Sequence, residues 1–580
     1  MVERQFCFEI KKVGENLDIE HEVFNLIYLI EIFHEFYPKE FANKNKDEQQ
    51  KVKNPKELLT LILWAKSNKR ESCRDIVKWY DNNDETCQLV TKCQRPSKNT
   101  IIRFKNEYTD LIDKFDQFLI DFGMGLELIA GERLYADGTI LKAWCNTFKK
   151  MYPYEIQYLK EFLEKNCENT ELWAKLKKYY HDDERDDELK KELSPTLKEF
   201  EYNLNSNGIH LLKLSLRSSK DFNKVLERIK HMENNIDGEN SVSIIDPEAR
   251  HMIDKNGNMG LNYNYQTVTD HKYGFRIAHY VTNHPNDQKE AKKLADLTAQ
   301  RLHTDDFTIC FDNGYWDIEN LKAIMQTNTQ VVIPDSTDAT RKKKKNKSKY
   351  QSGKRQEIVE SQKKANKKSK NKPNRIKKHE FKYFGKEDAF QCPKTKECFK
   401  VTSIVTVSGV KKKKYTCEYC INCPHKKECT SQYRRIFYEI YDPDIEEIRR
   451  FYYSDEGQEI YSKRGHYAET SFAVLLESRN FRGLKTKGLK NTDKELTLSE
   501  IHHNVKKFEK LTTNKFLKLI LNDIKSLKKR NIKIDFTLFE EYKGKYIIHN
   551  DVITGIRDHE RKWHIIINVN KVIEPIDKNC

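Results

Sequence analysis

An aspartate inside an apolar strand constrains the fold of this chain more than any other feature of its sequence. The stretch Glu132-Arg-Leu-Tyr-Ala-Asp-Gly-Thr-Ile-Leu141 predicts a β-strand, and Asp137 stands among its apolar residues. An ionised carboxylate is costly in such a setting unless it is paired. A metal ion shared with other acids would offset that cost, so the sequence favours a fold that brings further acids to this strand.

Residues 241–333 predict the rest of a sheet that could hold this strand. We expect a strand at 241–245, a hairpin of 261–269 with 275–282, a helix, a strand at 307–311, a short helix and a last strand. Strands that alternate with helices are typical of an α/β fold. The charged stretch 153–235 predicts helices whose aromatic residues form a bundle core.

Two downstream acids are candidates to join Asp137. Asp312 directly follows the apolar strand 307–311, and α/β folds place functional groups at the carboxyl ends of strands. An ordinary Asp-Asn-Gly turn is the alternative interpretation of Asp312. Glu469 lies in a predicted helix, 461–478.

At about 100° per residue, that helix would put Glu469 on the same buried face as Phe472. A metal is one partner that could reconcile a carboxylate with that face, and Arg464 is the alternative partner. Glu477 is a weaker candidate for the same role. Carboxylates at Asp137, Asp312 and Glu469 suit a two-metal site for Mg²⁺ or Mn²⁺ that activates the attacking oxygen and stabilises the leaving one.

The N-terminal region predicts three helices that resemble a helix-turn-helix. Asn54-Pro55 can cap the first, Ser72 the second and Ser97 the third, which would run over 98–107. Lys98, Arg103 and Lys105 would then face outward as candidate DNA-binding residues. Helical triplets are common, so an ordinary helical domain is the alternative.

The net charge of +17 is concentrated in one segment. Between Arg341 and Lys378 the chain has 18 Lys and Arg against two acids, Glu357 and Glu360. Such a segment suits a polyanion such as nucleic acid, and a solvated loop is the compatible alternative. The sequence has no apolar run of about 18 residues and no secretory signal, so neither a membrane span nor export is expected.

Six cysteines cluster after the basic segment. They are Cys392, Cys398, Cys417, Cys420, Cys423 and Cys429. The short spacings of Cys417, Cys420, Cys423 and Cys429 suit structural Zn²⁺. Ordinary reduced thiols and an iron–sulfur cluster remain alternatives, and His425 adds one more candidate ligand.

A series of short motifs follows one order along the chain. They are Arg95-Pro-Ser-Lys-Asn-Thr-Ile-Ile-Arg-Phe104, Tyr135-Ala-Asp137-Gly-Thr139, Asp246-Pro-Glu-Ala-Arg250, Tyr263-Asn-Tyr-Gln266 with Asp270, Phe311-Asp312-Asn-Gly-Tyr315, Tyr461-x-x-Arg464 before Glu469, and His503-Asn504. In this order they resemble the DDE transposases of bacterial insertion sequences that carry an InsH-type N-terminal domain. The resemblance covers roughly residues 20–145 and 241–508. Two positions depart from it: four residues rather than three separate Arg464 from Glu469, and Leu476 replaces a lysine.

The resemblance implies an α/β, ribonuclease-H-like catalytic core and a Mg²⁺-dependent DNA transposase that cleaves element ends and joins them to target DNA. Tyr461, Arg464, Arg479 and Arg482 would contact DNA. The partners would be terminal inverted repeats, target DNA and a second copy of the chain, in a cytoplasmic, nucleoid-associated complex. A catalytically inactive DNA-binding relative and a nuclease without strand transfer remain alternatives.

These expectations divide the chain as follows. The predicted parts are a helical DNA-binding domain at 1–130, a catalytic core at 131–333 and 451–510 with a helical insertion at 150–238, a basic linker and Cys-rich insertion at 334–450, and a region of unknown role at 511–580.

Overall fold

A mixed six-stranded sheet forms the centre of the computed structural model. The structure describes residues 17–18, 20–42, 52–82, 84–92, 94–181, 186–219, 221–236, 241–254, 256–334, 376, 381–384, 388–407, 410–429, 434–439, 443–469, 472, 483–532, 534–540, 544–557 and 563–564. The predicted basic segment at 341–378 therefore lies almost wholly outside the described residues.

The strands of the central sheet lie in the order β4-β5-β1-β7-β8, with β6 also paired to β5. Their bounds are β1 Arg133–Lys142, β4 Arg250–Ile253, β5 Met259–Asp270, β6 Arg276–Thr282, β7 Thr308–Cys310 and β8 Gln330–Val332. β1 pairs antiparallel with β5 and parallel with β7, and β7 pairs parallel with β8. The predicted α/β fold is confirmed as a mixed α/β structure.

Helices from both ends of the chain pack against this sheet. The N-terminal helices are α1 Glu22–Phe36, α2 Pro55–Ser67, α3 Cys73–Asp81, α4 Glu85–Val90, α5 Lys98–Glu107 and α6 Thr109–Gly125. Those beyond the insertion are α12 Ala291–Leu302, α13 Ile318–Met325, α14 Pro443–Tyr453, α15 Asp455–Ser462, α16 Leu489–Leu511 and α17 Asn514–Lys529. One buried apolar cluster joins α1–α6, α16 and α17 to the sheet.

The N-terminal helices largely match the sequence prediction. Ser72 and Ser97 accept hydrogen bonds from the backbone N–H groups of Asp75 and Thr100, as expected of N-caps. Asn54 occupies the N-cap position of α2 and Pro55 begins the helix, as predicted, but the Asn54 side chain makes no capping hydrogen bond: its backbone is left-handed at φ 56°, and its side chain donates to Gln94. The helix α4 was not predicted.

The helical insertion has an apolar core of its own. Its helices are α7 Pro153–Lys165, α8 Thr170–His181, α9 Asp187–Asn203, α10 Ser206–Ser218 and α11 Phe222–Glu233, with the two-residue strands β2 Lys150–Met151 and β3 Val242–Ser243 closing its base. Of the aromatic residues expected in a bundle core, Phe162 and Trp173 are buried in it and Tyr158 and Tyr179 pack against it, whereas Tyr154 is 60% exposed.

The cysteine-rich region forms a separate antiparallel sheet in the order β13-β12-β11-β10-β9. Its strands are β9 Lys382–Phe384, β10 Ala389–Gln391, β11 Cys398–Val407, β12 Val410–Thr416 and β13 Arg435–Glu439. A small C-terminal sheet consists of β14 Tyr546–His549, β15 Val552–Arg557 and β16 Trp563–His564. Among the described helices, none is both long and apolar enough to cross a membrane.

Several motif residues hold α16 against the central sheet. Asn504 accepts a hydrogen bond from the backbone N–H of Arg276 (2.8 Å) and donates to its carbonyl oxygen (2.9 Å). His503 Nε2 lies 2.9 Å from the carbonyl oxygen of Gly274. Glu500 forms a buried ion pair with Arg276 at 2.9 Å and accepts a hydrogen bond from Tyr265. These residues therefore fix α16 along β6.

Candidate active site

The central strand β1 places Asp137 on the sheet face that α15 covers. Antiparallel pairing sets Asp137 opposite Thr267 of β5, and the neighbouring Tyr135 packs with residues of α14 and α15 on the same face. The Asp137 side chain is only 10% exposed. A carboxylate this buried requires a counter-charge.

The parallel strand β7 brings Asp312 next to Asp137. Tyr135 is in register with Cys310, so continuing both strands by two residues sets Asp312 beside Asp137. Asp312 opens a 3₁₀ turn, Asn313–Tyr315, and its Oδ1 accepts a hydrogen bond from Gly314 N at 2.6 Å. The Asp312 side chain is 37% exposed, so one of the two acids is accessible from solvent.

Arg464 supplies the counter-charge to both aspartates. It follows the end of α15, and its Nη2 lies 2.7 Å from Asp137 Oδ1 and 3.8 Å from Asp312 Oδ2. Burial by itself would lower the pKa of Arg464, but the charges of Asp137 and then Asp312 raise it. The structure places Arg464 between the two aspartates. The contact with DNA and the pairing with Glu469 that the sequence suggested for Arg464 stay predictions.

Glu469 ends a single π-helical turn, Gly465–Glu469. The predicted helix over 461–478 is interrupted at its start, because α15 stops at Ser462 and the turn Gly465–Glu469 is wound more widely than an α-helix. Residues 470–471 and 473–478 of the prediction lie outside the described residues. The neighbouring Ala468 and Phe472 are buried, and Phe472 packs edge-on to Tyr265. The Glu469 side chain lies outside the described part of the chain, and so does Glu477.

A hydrogen-bonded network that the sequence did not predict supports Asp312 from the opposite face of β1. Tyr315 donates to Gln266 Oε1, and Gln266 Nε2 donates to Asp287 Oδ1 at 2.5 Å. Asn264 donates to the same Asp287 oxygen at 2.8 Å. Asp287 therefore links β5 to the turn that carries Asp312.

The pKa values of this network depend on the charges of the two site aspartates. Burial raises the pKa of Asp287, hydrogen bonds from Asn264 and Gln266 oppose that rise, and the charge of Asp312 adds to it. Burial also raises the pKa of Tyr315 well above its usual value, with Asp287, Asp137 and Asp312 contributing, so the Tyr315 hydroxyl stays protonated as a donor. In the sequence, Gly138 next to Asp137 is the one signal of this close packing, because glycine leaves room for the side chains of Gln266 and Asp287.

One segment of the chain is similar to a known protein family. A family model described as a transposase DDE domain matches residues 391–509. This segment is similar to a transposase DDE domain. No curated protein and no solved structure matches the chain. The DDE-domain segment includes Arg464 and Glu469, whereas Asp137 and Asp312 lie outside the matched residues.

A transposase DDE domain implies DNA as the partner and phosphoryl transfer on DNA as the class of reaction. The candidate site fits that class in the chemistry of its donors, since carboxylate oxygens are the ligands that hard divalent cations prefer. Within the described residues, no group of three or more His, Cys, Asp and Glu side chains is arranged to hold a metal ion. The third acid expected of a DDE site is Glu469, and its side chain is not among those that the structure describes.

The predicted DNA-binding residues of α5 differ in their exposure to solvent. Lys98 is exposed at the start of α5, and Arg103 is half-buried. Lys105 was expected to face outward, and it is partly buried: burial lowers its pKa, with Cys73, Lys66 and Glu495 among its charged neighbours. Its exposure is intermediate.

Tyr461 packs its ring against Tyr452, with 5.2 Å between the ring centroids, and is partly buried. It therefore contributes to the packing of α15 on α14. Arg479 and Arg482, the other arginines expected to contact DNA, lie outside the described residues.

Four cysteines of the DDE-domain segment meet at the apolar side of the cysteine-rich sheet. Cys417, Cys420 and Cys429 pack against its core, which includes Cys392. Burial raises the pKa of Cys420 to about 12, and the neighbouring Cys417 contributes to the rise. With no metal-binding group found among the described residues, zinc at Cys417, Cys420, Cys423 and Cys429 stays a prediction.

Proposed function

We propose that the chain is a DNA transposase that uses Asp137, Asp312 and Glu469 to cleave element ends and transfer them to target DNA. The observation that carries the proposal is the shared arginine: Arg464 lies 2.7 Å from Asp137 and 3.8 Å from Asp312. Two carboxylates that converge on one cation define a point where positive charge is required. Divalent cations would meet that requirement during catalysis.

The strand order supports a ribonuclease-H-like core. Three antiparallel strands, β6, β5 and β1, continue into the parallel strands β7 and β8. Asp137 stands on the central strand, and Asp312 follows the end of its parallel neighbour. This is the placement that the resemblance to DDE transposases implies.

The proposed chemistry has two displacements at phosphorus. A water oxygen attacks the phosphodiester at the element end, the bond from phosphorus to the 3′-oxygen breaks, and a 3′-hydroxyl is freed. That 3′-oxygen then attacks a target phosphodiester, whose own 3′-oxygen leaves. Bound Mg²⁺ or Mn²⁺ would supply activation of the attacking oxygen and stabilisation of the leaving oxygen.

The residues of this chain would prepare the site for that chemistry. Asp137, Asp312 and Glu469 would hold the cations through their carboxylate oxygens. Arg464 would balance the aspartates before cations bind, and its planar guanidinium is equally suited to a DNA phosphate afterwards. The exposed Asp312 leaves the site open to DNA on one side.

Strand transfer by the purified chain tests the proposal. The inverted repeats that flank the gene supply the element-end duplex, and Mg²⁺ or Mn²⁺ starts the reaction. We expect joined products that fall below detection in Asp137→Ala and Asp312→Ala. The control Asp296→Ala removes an acid that is 57% exposed on α12 and should leave the yield unchanged.

Two results would overturn the proposal in different ways. Binding of the element ends without cleavage would indicate a DNA-binding protein without activity. Cleavage without joining would indicate a metal-dependent nuclease.

A further inference from the structure

The cysteine-rich sheet, β9–β13, has one apolar face and one basic face. Phe390, Phe399, Tyr415 and Ile436 lie on the apolar face and form the core of this region. Side chains alternate along a strand, so the neighbours of these residues point to the opposite face. On that opposite face are Lys382, Lys400, Lys412, Lys414 and Arg435.

The cross-strand register brings these cations close together. Lys400, Thr416 and Arg435 form one row across three strands, and Lys414 is two residues from Thr416 on the middle strand. Diagonal neighbours of this kind are about 7–8 Å apart. Lys382 and Lys400 are exposed, and Lys412 and Lys414 are partly exposed.

The lysines of this face make no ion pair with any residue that the structure describes. Lys413, which points to the other face, contrasts with them because it pairs with Asp388 at 2.7 Å. Lys414 is a diagonal neighbour of Lys400 and Arg435 on the adjacent strands, so their like charges repel one another, and a bound polyanion would relieve that repulsion. Glu439 is in register with Lys412.

We propose that this basic face of β9–β13 binds the phosphate backbone of duplex DNA without reading its sequence. The proposal rests on the proposed function, because it takes DNA as the partner. Charge complementarity favours DNA. Four of the five cations of this face, Lys400, Lys412, Lys414 and Arg435, lie inside the transposase DDE-domain match, and Lys382 precedes it. In the sequence, the segment 341–378 with its 18 Lys and Arg precedes β9.

Salt-dependent binding of the full-length chain tests this proposal. The probe is a duplex of arbitrary sequence that lacks element ends. The test variant carries Lys382→Gln, Lys400→Gln, Lys412→Gln and Lys414→Gln. The matched control carries Lys190→Gln, Lys191→Gln, Lys198→Gln and Lys224→Gln, which remove four exposed charges from the helical insertion.

Each lost phosphate contact should reduce the slope of log K against log salt by about 0.9. The slope of the test variant should therefore be smaller in magnitude by about 3 to 4. The unsubstituted chain should bind the duplex more tightly than the variant at 50 mM salt, and the ratio of their binding constants should fall about 100-fold by 200 mM salt. The control should keep the slope of the unsubstituted chain. An unchanged unfolding midpoint for both variants verifies that folding is preserved.

The possible outcomes separate this proposal from the proposed function. Equal slopes for the two variants would overturn the basic face as the DNA site, even if strand transfer is intact. A reduced slope in the test variant alone supports it, even if no strand transfer is found. A chain that binds no duplex at all would overturn both.

Discussion

At the scale of single residues, Gly138 is where the candidate site leaves no room for a side chain. A Cβ atom at this position would lie 2.5 Å from Gln266 Nε2 and 2.6 Å from Asp287 Oδ1. Those atoms form the network that supports the Asp312 turn. We infer that Asp287 is a positioning residue, which acts on the site through Gln266 and Tyr315.

Gly138→Ala should therefore displace the network and weaken catalysis. Loss of a group that orients metal ligands typically costs about 10- to 100-fold in metal affinity or activity. We expect strand transfer to fall in that range and the Mg²⁺ concentration for half-maximal activity to rise. The rise in required Mg²⁺ distinguishes displaced ligands from a general loss of folded protein.

Gly260→Ala is the matched control in the same sheet, because its Cβ would meet nothing closer than 3.5 Å. Asp287→Asn removes the negative charge but can still accept the hydrogen bond of Gln266. If this variant keeps its activity and Gly138→Ala does not, the network acts by position. Equal losses in Gly138→Ala and Gly260→Ala would contradict the role given to it.

At the scale of elements, α16 carries a buried acid whose titration should be visible in stability. Glu509 is 8% exposed and lies 2.5 Å from Lys506, which also pairs with Glu22 of α1 at 2.8 Å. Burial raises the pKa of Glu509 to about 7 from a usual value of 4.5, although Lys506 lowers it. The folded chain therefore holds this proton more tightly than the unfolded chain.

The sign of the pH dependence follows from that difference. Between pH 4.5 and about 7 the unfolded chain releases the proton first, so the contribution of Glu509 to stability falls as pH rises. Glu509→Gln removes this titration and should be the more stable chain at pH 8, with a smaller difference at pH 5. Denaturant midpoints of both chains across this range measure it; a pH-independent difference would contradict it.

The elements also show which parts of the fold the sequence could predict. Periodicity and local capping are encoded within a few residues, so β1, α3, α5 and the 261–282 hairpin were predicted closely. The π-helical turn Gly465–Glu469 was missed because its winding is not encoded in an apolar period.

The candidate site divides in the same way. Asp137 and Asp312 could be predicted because each stands out against an apolar strand. Asp287 could not be predicted, since it lies in the polar stretch Asn286-Asp287-Gln288. It is linked to the site only through Gln266, which the strand pairing sets opposite Gly138. The position of Arg464 likewise depends on contacts across 327 residues of chain.

At the scale of the whole molecule, the two ends of the chain are packed into one structure. Phe508 of α16 is fully buried and lies between Phe122 of α6 and Phe275 beside β6, with centroid distances of 5.5 and 5.1 Å. Lys528 of α17 pairs with Glu35 of α1 at 2.9 Å. The described helices of 1–130 thus share their core with the central sheet rather than forming a separate core.

Phe508→Ala should therefore weaken the N-terminal helices and the central sheet together. Truncating a buried phenylalanine typically costs about 3–5 kcal/mol, because the surroundings collapse only in part. Hydrogen exchange read by mass spectrometry should show peptides from α1 and β6 losing protection by the same factor. Tyr202→Ala, at a side chain that is 90% exposed in the helical insertion, should change neither. If β6 peptides lose protection while α1 peptides keep theirs, the N-terminal helices unfold as an independent domain.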